Sequence, residues 1–334
     1  MSDIQQRKDR WNRLYEGRQK TICLVRRTGA ADRPWPYPEY TAARVAWALA
    51  DYRWRMDALA WLDDDAVPYL DPFTGTEIFA EAFGCTVHRS GDNMPFALPL
   101  INDARQLRTL KKPRLEDSSL MAIFDIADSL KRAEPDALMR LPDVQSPFDI
   151  AALIWEKSDF FAALMEEPAV VRELVAMTTA LLTEFLDEWF RRYGTEFAAH
   201  FPDYYMPYGI TLSEDECGCL SADTFREFCL DSLNGLAGRY GRIGIHCCAN
   251  SRHQWDNFQS IRNLTLMNIS HTDEAVRAEA YTFFKDTCAQ MHPTIPYERI
   301  DTDARVVLKI AAAGRDDAVE KCRMLREIAQ RWQA

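Results

Sequence analysis

Apolar residues recur at helical spacing most clearly between Pro168 and Tyr193, where Val171, Leu174, Val175, Leu181, Leu182, Phe185 and Trp189 share one face. Pro168 suits a first turn, where its missing N–H costs nothing, and Glu166 and Glu167 suit the positive end of the helix dipole. Arg191 and Arg192 in the last turn, with Gly194 just after, mark the end. Residues 2–16 predict a helix closed by Gly17, and Tyr40–Leu62 predicts another, with Val45, Leu49 and Trp54 among its apolar positions. The second half alternates short apolar runs with helical stretches. Tyr204–Leu212 reads as a strand, followed by a helix capped by Ser221. Ile243–Cys248 and Leu264–Ser270 read as further strands, followed by helical segments around Trp255 and from Asp273. Val306–Ile310 is a late strand, and a helix is expected from Asp316 to the end. Strand–helix alternation of this kind predicts a parallel sheet with helices outside it.

Nucleotide-binding signatures do not fit this alternation. No GxGxxG follows a strand, and Gly235, Gly238, Gly241 and Gly244 recur with period three instead. No GxxxxGK[ST] is present. A barrel is therefore favoured over a nucleotide fold, with chemistry at the C-terminal ends of its strands.

Composition narrows the function classes. The 334 residues carry a formal net charge of −11, which disfavours binding of nucleic acid or of an anionic membrane through bulk charge. A 47% hydrophobic content with 13 Gly and 16 Pro excludes a disordered or collagen-like chain. The N-terminal residues are polar and charged, without an apolar signal core, and charges interrupt every apolar stretch before membrane-spanning length. The nine cysteines are odd in number and scattered, which argues for reduced thiols in a cytoplasmic enzyme.

The sharpest chemical feature is Ile245-His246-Cys247-Cys248-Ala249-Asn250 at the end of a short strand. Strand alternation points His246 and Cys248 to one face and Cys247 to the other. An imidazole and a thiolate converging at a barrel mouth suit Zn²⁺, which keeps three protein ligands and one open position in catalytic sites. A third ligand must come from elsewhere; Cys288, His292 and the Cys217/Cys219 pair are candidates.

Several segments, in order, resemble the uroporphyrinogen decarboxylase-like superfamily, which includes the decarboxylase of haem synthesis and zinc-dependent corrinoid:thiol methyltransferases. They are Asp65-Ala66-Val67-Pro68 with Gly75 and Ala82-Phe83-Gly84, then Ser146–Ile150, Met165–Leu174, Asp215 with Ser221–Phe228, and Ile245–Asn250. The resemblance implies a TIM (β/α)8 barrel forming one domain over residues 1–334, with residues 1–60 as its helical N-terminal extension. His246 and Cys248 match the His-x-Cys of the zinc methyltransferases, whose third ligand is a distal Cys, here Cys288.

The resemblance thus implies a methyltransferase that uses Zn²⁺ and a corrinoid carried by a separate protein, acting on a small-molecule thiol, with barrels often paired as homodimers. Asp65, Asp215 and Glu216 are expected to line the mouth as catalytic groups. Arg26, Arg27 and Asn250 are expected to bind substrate. The alternative within the superfamily is a metal-free decarboxylase or lyase for a carboxylated substrate, working through Asp65 and Arg26/Arg27.

Overall fold

The computed structural model describes residues 2–27 and 31–333. Eight strands form the parallel framework: β1 (Thr21–Arg27), β2 (Tyr69–Leu70), β3 (Leu138–Arg140), β4 (Ile210–Ser213), β5 (Ile243–Cys247), β6 (Leu264–Ile269), β7 (Ala289–Gln290) and β8 (Val306–Ala312). Six of them form one sheet in the order β1-β8-β7-β6-β5-β4, and all its ladders are parallel. β2 and β3 pair in a second sheet, extended by Phe197–Ala198 in parallel and by Tyr205–Met206 turning back antiparallel. Isolated backbone bonds stitch the two sheets together. The Asp65 N–H donates to the Cys23 carbonyl before β2, and the Ser213 N–H donates to the Val144 carbonyl after β3. Helices fill the connections between strands, giving the (β/α)8 pattern of a TIM barrel.

Every residue of β4 and β5 is buried, as expected for parallel strands covered on both faces. The long helix spans Pro168–Tyr193 as its apolar spacing predicts, and Gly194 ends it with φ 84°. Val171, Leu174, Leu181, Leu182, Phe185 and Trp189 are all buried beneath it. At about 1.5–3 kcal/mol per large apolar side chain, this stripe is a principal source of stability. The cap predicted at Ser221 forms, its side chain accepting the Thr224 N–H, and the helix expected from Asp273 starts there, with Asp273 capping it by accepting the Ala275 N–H.

Two expectations change. Residues 1–60 are not a helical extension, because Thr21–Arg27 is the first barrel strand, paired along its whole length with β8. Only the helix Ser2–Tyr15 precedes it. The continuous strand expected over Tyr204–Leu212 is broken by Pro207-Tyr208-Gly209. Gly209 has φ 108°, and a Cβ there would stand 2.6 Å from the Arg242 carbonyl, so the chain turns where only glycine fits.

Alternation in β1 and β8 fixes which side chains see the barrel interior. Cys23, Val25, Val306 and Leu308 pack outward against Ala318, Cys322 and Leu325 of the helix Arg315–Gln333. Leu24 and Arg26 on β1, with Lys309 and Ala311 on β8, therefore face inward, and Leu24 is level with Lys309.

Candidate metal centre

The C-terminal ends of β4 and β5 bring Asp215, His246 and Cys248 together. Their ligand atoms all lie within 4.8 Å of one another. β5 points Gly244 and His246 inward: a Cβ on Gly244 would collide with the Tyr204 hydroxyl, which fills the interior one layer below His246. Cys247 points the other way, and its sulfur lies 3.7 Å from that of Cys217. Cys248 begins the loop after the strand and is exposed.

Hydrogen bonds settle the His246 tautomer. The Asn268 side-chain NH₂ donates to the Met291 carbonyl, so Asn268 Oδ1 must be the acceptor on its other side. That oxygen lies 2.5 Å from His246 Nδ1, which therefore carries the proton. The lone pair of Nε2 is left for a ligand. Burial lowers the His246 pKa, keeping the ring neutral at neutral pH although Asp215 opposes the shift. Phe201 packs edge-on against the ring, with centroids 4.7 Å apart.

Asp215 Oδ1 accepts the Cys248 backbone N–H at 2.5 Å. The Cys248 thiol is pushed up to about 12, first by burial and then by the Asp215 charge. A thiol beside a carboxylate stays protonated and unreactive unless a cation joins them. Carboxylate, imidazole and thiol are all Zn²⁺ donors, so these three residues fit such an ion.

Asp215 is itself held by a buried carboxylate. Asp149 Oδ2 accepts the Asp215 N–H at 2.7 Å, and its Oδ1 accepts the Glu216 N–H at 3.0 Å. The Glu214 carboxyl is fully buried beside Asp149 and Ser146. Burial, then the Asp149 charge, raises the Glu214 pKa, and burial raises that of Asp149 too.

The remaining expected site residues lie elsewhere. Cys288 precedes β7, level with Thr265, whereas His246 is level with Asn268. Three residues of strand put Cys288 about 10 Å deeper in the barrel. Its buried thiol senses Arg305 rather than the mouth. His292 has both ring nitrogens engaged: Nδ1 accepts the Ile269 N–H at 3.0 Å, and Nε2 donates to Gln290 Oε1 at 2.9 Å. Burial drives its pKa down to about 3. Cys217 is buried, and Cys219 is exposed on the short turn Glu216–Cys219.

Asp65 is fully buried in a structural ion cluster away from the mouth. It accepts from Arg10, from Arg326 at 2.8 and 2.9 Å, and from the Cys23 N–H at 2.7 Å. Glu216 turns aside to Lys157. Arg27 faces outward and stacks over Trp54 at 3.7 Å and Trp61 at 5.3 Å. Arg26 is exposed on the inward face of β1, and Asn250 is exposed on the rim beside Gly218.

Sequence reasoning missed several groups. Lys309 stands inside the barrel and donates no side-chain hydrogen bond among the described residues. Burial lowers its pKa, with Arg26 adding to the effect and Asp203 opposing it. His200 is buried between Thr211 Oγ1 at 3.2 Å and Ser213 Oγ at 3.0 Å. Asp143 lies 3.9 Å from His200 Nε2, and burial raises its carboxyl to about 6. The signals were a Lys in VVLKI and an Asn in LTLMNIS, each a polar residue inside an apolar strand.

Comparison with curated proteins gives no match. Among solved structures, a methyltransferase from Methanosarcina mazei superposes with a TM-score of 0.67, covering 98% of this chain and 99% of that one. At 13% sequence identity the likeness speaks to the fold. The family model for uroporphyrinogen decarboxylase (URO-D) matches residues 70–291. That span runs from β2 to just past β7 and contains the strand ends that carry Asp215, His246 and Cys248, and by this match the chain belongs to the uroporphyrinogen decarboxylase family.

Proposed function

We propose that this protein is a zinc-dependent methyltransferase that moves a methyl group between a corrinoid held by a separate protein and a small thiol. The observation that carries this reading is the convergence of Asp215, His246 and Cys248 at the mouth of the barrel. The family, and the methyltransferase name of the structure that superposes over the whole chain, support it. Nine cysteines without a disulfide among them suit the reducing cytoplasm.

His246 Nε2, the Cys248 sulfur and one Asp215 oxygen would hold the metal. Bound zinc would keep an acceptor sulfur in the thiolate form at neutral pH. Asn268 holds the His246 proton on Nδ1, away from the ligand position. Asp143 is mostly a carboxylate at neutral pH, lies near enough to Asp215 to feel its charge, and can take up the proton the acceptor loses. Lys309 and Arg26, both facing the interior, would pair with a negative group on the acceptor. Of the groups a metal-free decarboxylase would use, only Arg26 faces the mouth; Asp65 and Arg27 are tied into packing.

Elemental analysis of purified protein tests the reading. About one zinc per chain is expected in the wild type and in Cys288→Ala. His246→Ala and Cys248→Ala should each lose it, and Asp215→Ala should retain only weak binding that purification largely strips, while still measurable by competition when zinc is supplied. Zinc missing from the wild type, or equal in all five proteins, would sink the proposal.

A further inference from the structure

We propose that Asp149 is a positioning residue for this centre: it holds the turn after β4 so that Asp215, and through it Cys248, faces His246. The inference rests on the metal-centre reading above. Asp149 sits in the first turn of the helix Pro147–Ile154, where the Ser146 hydroxyl accepts its N–H at 3.0 Å. The side chain is 1% exposed and does not reach the mouth. Both carboxylate oxygens are engaged, one by the Asp215 N–H at 2.7 Å and one by the Glu216 N–H at 3.0 Å.

The bonds continue outward from there. Asp215 Oδ1 accepts the Cys248 N–H, and the Glu214 N–H donates to the His246 carbonyl at 2.9 Å. Loops after three successive strands are thereby fixed to one another. The helix after β3 carries Asp149, the turn after β4 carries Asp215, and the turn after β5 carries Cys248. Without Asp149, two part-buried backbone N–H groups lose their acceptor, and the turn must shift to find water. Such movement displaces the Asp215 carboxylate before it disturbs His246, which β5 and Asn268 hold independently. Groups that orient metal ligands typically cost 10–100-fold in metal affinity when removed.

Competition with a chromophoric zinc chelator, performed on the full chain, tests this. Asp149→Ala should lower zinc affinity roughly 10–100-fold. In an Asp215→Ala background the same substitution should change affinity by less than about twofold, because the group it positions is gone. Asp149→Asn, which keeps one acceptor oxygen, should fall between wild type and Asp149→Ala, and it serves in the same cycle should the alanine variant not fold. Thermal unfolding recorded alongside separates positioning from stability, since a merely structural role lowers the melting temperature without coupling to Asp215. The inference is overturned when Asp149→Ala binds zinc as the wild type does, or when it loses the same factor with and without Asp215. A wild type that binds no zinc overturns the metal-centre reading itself, and this inference with it.

Discussion

The Nδ1 of His246 lies 2.5 Å from Oδ1 of Asn268, across the β5–β6 ladder at one register position. This pair selects the tautomer that presents Nε2 to the mouth. Asn268→Leu keeps the branched outline but removes the acceptor, so either ring nitrogen can then carry the proton. Zinc affinity, read by chelator competition, should fall by roughly 10–100-fold while one zinc per chain still binds at saturation. An unchanged affinity would mean that another group orients the ring.

Lys309 offers a cation inside the barrel that no carboxylate among the described residues meets by a hydrogen bond. Lys309→Ala should raise KM for mercaptoacetate by roughly 10–100-fold, the range for losing a hydrogen bond to a charged group. A neutral thiol of similar length should be unaffected. Equal effects on both thiols, measured with methylcobalamin as donor, would remove Lys309 from substrate recognition.

Asp65 is expected to matter for folding and not for chemistry. It joins Arg10 of the first helix, Arg326 of the last helix and the Cys23 N–H of β1. Asp65→Ala removes the carboxylate that both guanidinium groups share and leaves them Asp63, backbone carbonyls and solvent, so urea unfolding should show a loss of about 1–3 kcal/mol. Zinc content should stay at the wild-type value.

Much of this arrangement was legible before any coordinates. Period-3.6 patterning placed the helix Pro168–Tyr193, and period-2 alternation separated Cys247 from Cys248. β2 and β7 pair over only two residues each, too short to show a period, so their levels in the barrel could not be read. That is why Cys288 and Asp65 looked available. Each lies before its short strand, at the deep end, while the mouth lies after it. Arg26 and Arg27 illustrate the same limit, because adjacent residues exchange inside for outside when the register is unknown. Asp149 was read as part of a family segment, but its partners are backbone N–H groups 66 and 67 residues away, which leave no pattern in sequence.

Glu77 gives a pH signature. It is 3% exposed, Oε2 has no hydrogen-bond partner among the described residues, and burial pushes its carboxyl up to about 7 from an ordinary 4.5. The folded state then holds this proton more tightly than the unfolded chain does. Stability contributed by the neutral form is fully present below pH 4.5 and is lost as pH rises through 7. Ionisation in place costs on the order of 3 kcal/mol. Glu77→Gln should therefore raise the melting temperature at pH 8 and leave it nearly unchanged at pH 4.5. Equal shifts at both pH values would assign the effect to packing.

The adjacent thiols at the end of β5 place a demand on the gene as well as on the fold. Cys247 rests against Cys217 in the packing, while Cys248 stands at the mouth beside Asp215. Single-base changes can vary Ile243 or Ile245 among apolar residues without moving either sulfur. One codon inserted or deleted within the strand would exchange the two, burying the sulfur meant for the mouth and presenting the other. Amino-acid composition would hardly change, yet the juxtaposition of Cys248 with Asp215 and His246 would be lost. Length is thus the least tolerant property of this segment.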